Sequence, residues 1–125
     1  MYIYYFERGI SMDLINTYEE YKNTNEEYAL FINGLVDSDL SNKDEVIANK
    51  LTEYQNKFEY LKVKCDRINV EADNVNNLKD LKYLIVDTLF LALDLSHFYT
   101  LGQVERFKMR AINYINKKRR AEFFN

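Results

Sequence analysis

Proline and tryptophan are absent from these 125 residues, and glycine occurs only three times. Without proline, nothing in the chain forces a helix to break. Three isolated glycines cannot build the glycine-rich loop that cradles phosphate, which removes the common nucleotide-binding motifs. The single cysteine, Cys65, excludes an internal disulfide and fits a reducing, cytoplasmic setting. Chemistry is limited further by the single histidine, His97. Asp94-Leu95-Ser96-His97 sets a carboxylate and an imidazole three residues apart, as helical metal sites do. A di-iron bundle needs two such units and two further glutamates, so no metal or other cofactor is expected. The Arg-x₄₋₆-His motif of helical-bundle ribonucleases of the HEPN type is missing, because no arginine precedes His97 at that interval.

What the chain does hold is apolar bulk and charge. Hydrophobic residues make up 47% and charged residues 30%, the balance of a globular chain rather than a disordered one. The length suits a single helical domain spanning 1–125. Eleven tyrosines and eight phenylalanines promise bulky core and interface filling. The net charge of −3 is uneven: residues 1–40 carry −6, residues 41–80 carry −1 and residues 81–125 carry +4. The apolar stretch from Leu81 to Leu101 is long enough to span a bilayer. Asp87 and Asp94 lie inside it, and each costs about 2.5–3.5 kcal/mol at mid-membrane, so a core helix is expected and no membrane partner.

Periodicity places four helices. The first, Met12 to Val36, carries Leu14, Tyr18, Tyr21, Tyr28, Ile32 and Leu35 on one stripe, interrupted by Asn25. The second is predicted from Asp44 to Asp73 with Ser41 as its cap. Its seam is the most regular feature of the chain: Ile47, Leu51, Tyr54, Phe58, Leu61, Cys65, Ile68, Ala72 and Val75 alternate steps of four and three. Lys43, Lys50, Lys57 and Lys64 recur every seven residues beside it. Asn74 to Asn77 reads as a turn. The third helix, Leu78 to Leu101, is apolar nearly all round except for the line Asp80, Asp87 and Asp94. It is expected to be the most buried, with Lys64 facing Asp87 and Lys57 facing Asp94. Gly102 ends it, and a fourth helix follows with Val104, Phe107, Ala111, Ile112 and Ile115 inward. The resulting expectation is an all-α, antiparallel up-down-up-down bundle with long helices. Helix two, longer than helix four, would overhang and recruit another chain. Glu7-Arg8-Gly9 before Ile10-Ser11-Met12 back-translates to a ribosome-binding sequence ahead of a start codon. Met12 is therefore a candidate start, and residues 1–11 a candidate non-native or flexible extension.

No nucleophile, base and orienting group occur together, so the chain does not read as an enzyme. Cys65 sits on the seam as a small apolar side chain. The clearest functional hint is basic: Arg106, Lys108, Arg110, Lys117, Lys118, Arg119 and Arg120 lie on the fourth helix and its tail, available to a partner protein or to phosphates. The expected function is that of a small non-enzymatic interaction protein of the regulator, immunity or phage-inhibitor type. It would bind a protein partner, a homodimer included, in a bacterial or phage setting suggested by the Asn-, Lys-, Ile- and Tyr-rich usage. Nucleic-acid regulation through the basic helix is the second reading, and a small-molecule sensor with a pocket in the core is the third.

Overall fold

The computed structural model describes residues 12–124, with side chains through residue 121; the segment 1–11, read above as an extension, lies outside the described residues. Helix α1 spans Met12–Val36 and buries Leu14, Thr17, Tyr21, Tyr28, Ile32 and Leu35. The three- and four-residue steps hold, but Thr17 takes the inner position that the sequence assigned to Tyr18. Tyr18 is 48% exposed and faces a groove between the first and third helices instead.

Helix α2 spans Glu45–Asp66. Its cap is Asp44 rather than Ser41: the Asp44 carboxylate accepts the Val46 N–H at 2.8 Å and the Ile47 N–H at 3.4 Å, satisfying donors that have no partner inside the helix. Leu51, Tyr54, Phe58, Leu61 and Cys65 are buried, as the seam requires. The helix ends about two turns earlier than predicted. Arg67 and Ile68 donate to the carbonyls of Lys64 and Cys65 at 3.2 Å each, a tightening of the last turn. Asn69 and β-branched Val70 are weak helix formers, and Ile68 leaves the helix to reach the core, where it is buried. A 3₁₀ turn, Ala72–Asn74, leads into helix α3, Val75–Thr100. Ala72 and Val75 therefore fall off the seam, and both are exposed. Gly102 adopts a positive φ of 70°, which only glycine enters freely. The N–H groups of Gly102 and Gln103 close onto the carbonyls of Tyr99 and Phe98, sealing the end of α3. Helix α4 spans Val104–Phe124.

Polar links fix the topology. Lys64 on α2 meets Glu20 on α1 at 2.8 Å, and Lys82 on α3 meets Asp66 on α2 at 3.4 Å. Arg110 and Lys117 on α4 meet Asp94 and Asp87 on α3 at 3.2 and 3.8 Å. The Lys108 ammonium caps the Ser38 carbonyl after α1 at 2.8 Å. Partner numbers run in opposite directions along neighbouring helices, Arg110 with Asp94 and then Lys117 with Asp87, while Lys82 near the start of α3 meets Asp66 at the end of α2, so the bundle is antiparallel, up-down-up-down. Helices α2 and α3 share the most extensive contact, and α3 contributes more buried side chains than α1 or α2.

Two expectations fail here for one geometric reason. Lys64 pairs with Glu20, not Asp87, and Lys57 lies over the Tyr54 ring at 5.1 Å, not beside Asp94. The lysine edge of α2 turns toward α1, where Lys50 also covers the Phe31 ring at 5.6 Å. The aspartates of α3 turn the other way, toward α4. The predicted overhang is also absent: α2 has 22 residues and α4 has 21, about 33 and 32 Å at 1.5 Å per residue.

The core centres on Tyr28. Its ring stands 5.1 Å from Tyr54, 5.3 Å from Phe58 and 6.0 Å from Tyr114, in the tilted and edge-on arrangements that aromatic quadrupoles favour. Tyr114 reaches inward to hydrogen-bond the Asn25 side chain, which explains the polar break in the α1 stripe.

Candidate interaction faces

The third helix is less thoroughly covered than its composition suggested. Leu81, Ile85, Leu89, Ala92 and Leu95 point into the bundle. On the opposite side Lys79, Tyr83, Val86, Phe90, Leu93 and His97 follow one another at steps of four and three, which places them on a single stripe of the helix. Tyr83 is 72%, Phe90 57% and Leu93 38% exposed, and Leu101 extends the stripe beyond the helix end. Aromatic side chains offer about 150–250 Å² each. With its aliphatic neighbours the stripe comes to roughly 300–600 Å², the size at which exposed apolar patches mark interaction sites. The sequence concealed this face because α3 carries apolar residues in nearly every direction. The clue lay in counting neighbours: a corner helix of a four-helix bundle has two adjacent helices and cannot bury its whole circumference.

The seven basic residues do not form one surface. Lys108, Arg110 and Lys117 are engaged within the chain, with Ser38, Asp94 and Asp87 respectively. Arg106 reaches the Gln103 side chain at 3.5 Å. Lys118 is half-buried in grooves beside α1, while Arg119 and Arg120 are exposed and lie 100° apart on an ideal helix. Ile112, expected to point inward, is 42% exposed, and Tyr114 takes up the space on the α1 side.

The chain matches no protein-family model, no curated protein and no solved structure. A groove of about 460 Å³ lies between α1, α3 and α4, with Tyr21, Asp87, Arg110, Tyr114 and Lys117 among its walls. Arg110 and Lys117 in its walls are already paired with Asp94 and Asp87 of α3. Among the described residues no group of three or more His, Cys, Asp or Glu is placed to hold a metal ion. His97 is exposed at the end of α3. Cys65 is fully buried, and burial pushes its thiol pKa up, away from the reactive thiolate. Among the described residues no helix is long and apolar enough to cross a membrane.

Proposed function

We propose that this protein is a small, non-enzymatic interaction module, of the regulator or inhibitor type and acting in the cytoplasm, that binds a protein through the outward face of α3. The stripe of exposed Tyr83, Phe90 and Leu93, with half-buried Val86 between them, supports this most strongly. Water-exposed aromatic and aliphatic side chains in one continuous row gain by being covered, and aromatics anchor protein interfaces. The face is apolar at its centre and flanked by charge, the distribution of an interface rather than of a solvent face. A nucleic-acid role through α4 has less support, since Arg106, Lys108, Arg110 and Lys117 among its seven cations are engaged within the chain. The test is a photo-crosslinking phenylalanine analogue at position 90, introduced into the full chain in cells. A covalent adduct to protein, absent when the analogue replaces exposed Tyr60 instead, supports the reading. Equal or no adducts from the two positions contradict it.

A further inference from the structure

A groove on the α1 side of α3, which shares only Tyr83 with the outward stripe, has the build of a small-molecule site. We infer that it holds a single-chain amphiphile with an anionic head, a free fatty acid, seated with its carboxylate against α4. The groove of about 460 Å³ beside α4 shares Leu84 with a second stretch of about 480 Å³ between α1 and α3. Together they follow α1 from Leu14 to Asn25, about 16 Å at 1.5 Å per residue. Each stretch lies in the size range of ligand pockets, which bundles form between their helices. Buried Leu14 and Leu81 and the more exposed Tyr18 and Leu84 line the stretch away from α4. Hydroxyls along the walls satisfy one another: Thr88 donates to the Leu84 carbonyl at 2.9 Å, so Tyr21 donates to Thr88 at 3.0 Å. That leaves an apolar track, which an acyl chain covers without stranding a donor.

Polarity along the track gives the head its place. The end between α1 and the start of α3 carries Glu19 and Asp80 against Lys22, whereas the end at α4 carries Arg110, Lys117 and Lys118 against Asp87. The ion pairs of α4 leave donors over. Arg110 gives its Nε–H to Asp94, and its terminal nitrogens, the fork that fits a carboxylate, donate to no other group among the described residues. Lys117 lies 3.8 Å from Asp87, beyond hydrogen-bond distance, and both side chains are more than half exposed. An exposed pair at that distance contributes little, so an arriving carboxylate takes Lys117 without breaking a strong bond. Arg110 and Lys117 are seven residues apart, two turns along one face of α4, and both line the same groove.

Titrating the isotopically labelled full chain with dodecanoate, kept below its micelle concentration and followed by amide NMR, tests the assignment. Saturable shifts are expected at Leu84, Thr88 and Lys117, with Val46 and Tyr60 of α2 unmoved. Decanoate binds more weakly, by roughly two- to fourfold for each methylene removed. Dodecanol, which lacks the charge, binds at least fivefold more weakly than dodecanoate. Lys117→Glu, where the side chain is 73% exposed, keeps its helical circular dichroism, weakens dodecanoate at least fivefold and leaves dodecanol unchanged. Leu84→Asp weakens both ligands. An absence of saturable shifts, or shifts centred on α2, overturns the site. Equal binding of dodecanoate and dodecanol, or dodecanoate binding untouched by Lys117→Glu, overturns the anionic head. Photo-crosslinking at position 90 reads a different face of α3, so its outcome and this one are independent.

Discussion

Phe58→Ala lowers the stability of the bundle by about 3–5 kcal/mol, the range for removing a fully buried aromatic side chain. Phe58 has no exposed surface and packs edge-on against Tyr28 and Tyr21, at 5.3 and 6.4 Å between ring centroids. Its loss removes apolar burial and leaves a cavity among rings too rigid to collapse into it. For a domain of this size the midpoint of thermal unfolding falls by on the order of 10–20 °C. Phe90→Ala, by contrast, changes stability by no more than about 0.5 kcal/mol, because it truncates a side chain that water already reaches. Chemical denaturation of the two variants below the concentration of any association separates core from face. Equal losses from both would show that Phe90 is part of the core.

Tyr28 and Tyr21 form a second contrast, between a buried hydroxyl without a partner and one that has found one. The Tyr28 hydroxyl makes no hydrogen bond among the described residues, whereas the Tyr21 hydroxyl lies 3.0 Å from the Thr88 hydroxyl. Tyr28→Phe thus removes an unsatisfied polar group and leaves stability at neutral pH unchanged or up to about 1 kcal/mol higher. Tyr21→Phe costs about 0.5–1.5 kcal/mol, since it breaks the link between α1 and α3. Alkali magnifies the Tyr28 effect. Burial pushes the pKa values of both hydroxyls up from 10.0, so above that pH the unfolded chain releases protons that the folded chain retains. Stability complete below pH 10 is then lost as pH rises toward the folded values. Removing Tyr28 removes its share of this loss, and the advantage of Tyr28→Phe over the wild type grows between pH 10 and 11. A constant difference across that range would contradict the assigned burial.

Much of this architecture was legible in the residues, and the parts that were not share a cause. The seam from Leu51 to Cys65 is buried as its spacing requires, because a run of alternating steps of four and three has one way to face a core. Periodicity names the inward face but not the neighbour on either side of it. The lysines at 50, 57 and 64 and the aspartates at 87 and 94 have matching intervals, yet one set borders α1 and the other borders α4. Only the arrangement of four helices around a centre decides that. The end of α2 was missed because Ile68 continues the apolar rhythm while leaving the helix, so burial persisted where hydrogen bonding did not. Thr17 and Tyr18 show the finer limit: adjacent residues at the border of a stripe differ by 100° on an ideal helix, and the composition favoured the larger one. The site was harder still. In α3 the inward row and the outward row are both apolar, and the outward row becomes visible only once α2 and α4 have claimed its flanks. The basic residues of α4, prominent in sequence, spread around the helix when folded, and Lys108, Arg110 and Lys117 turn to partners on neighbouring elements.

Hydroxyl-radical footprinting of the wild type, purified and inside cells, read by mass spectrometry at single side chains, decides whether the outward face of α3 is the one that a protein covers. Tyr83, Phe90 and Leu93 are expected to be less reactive in cells than in the purified chain, while the exposed Tyr60 and Met109 on other helices react alike in both. Protection that falls on Tyr60 or Met109 and spares Tyr83 and Phe90 would place the interaction on another face and contradict the account.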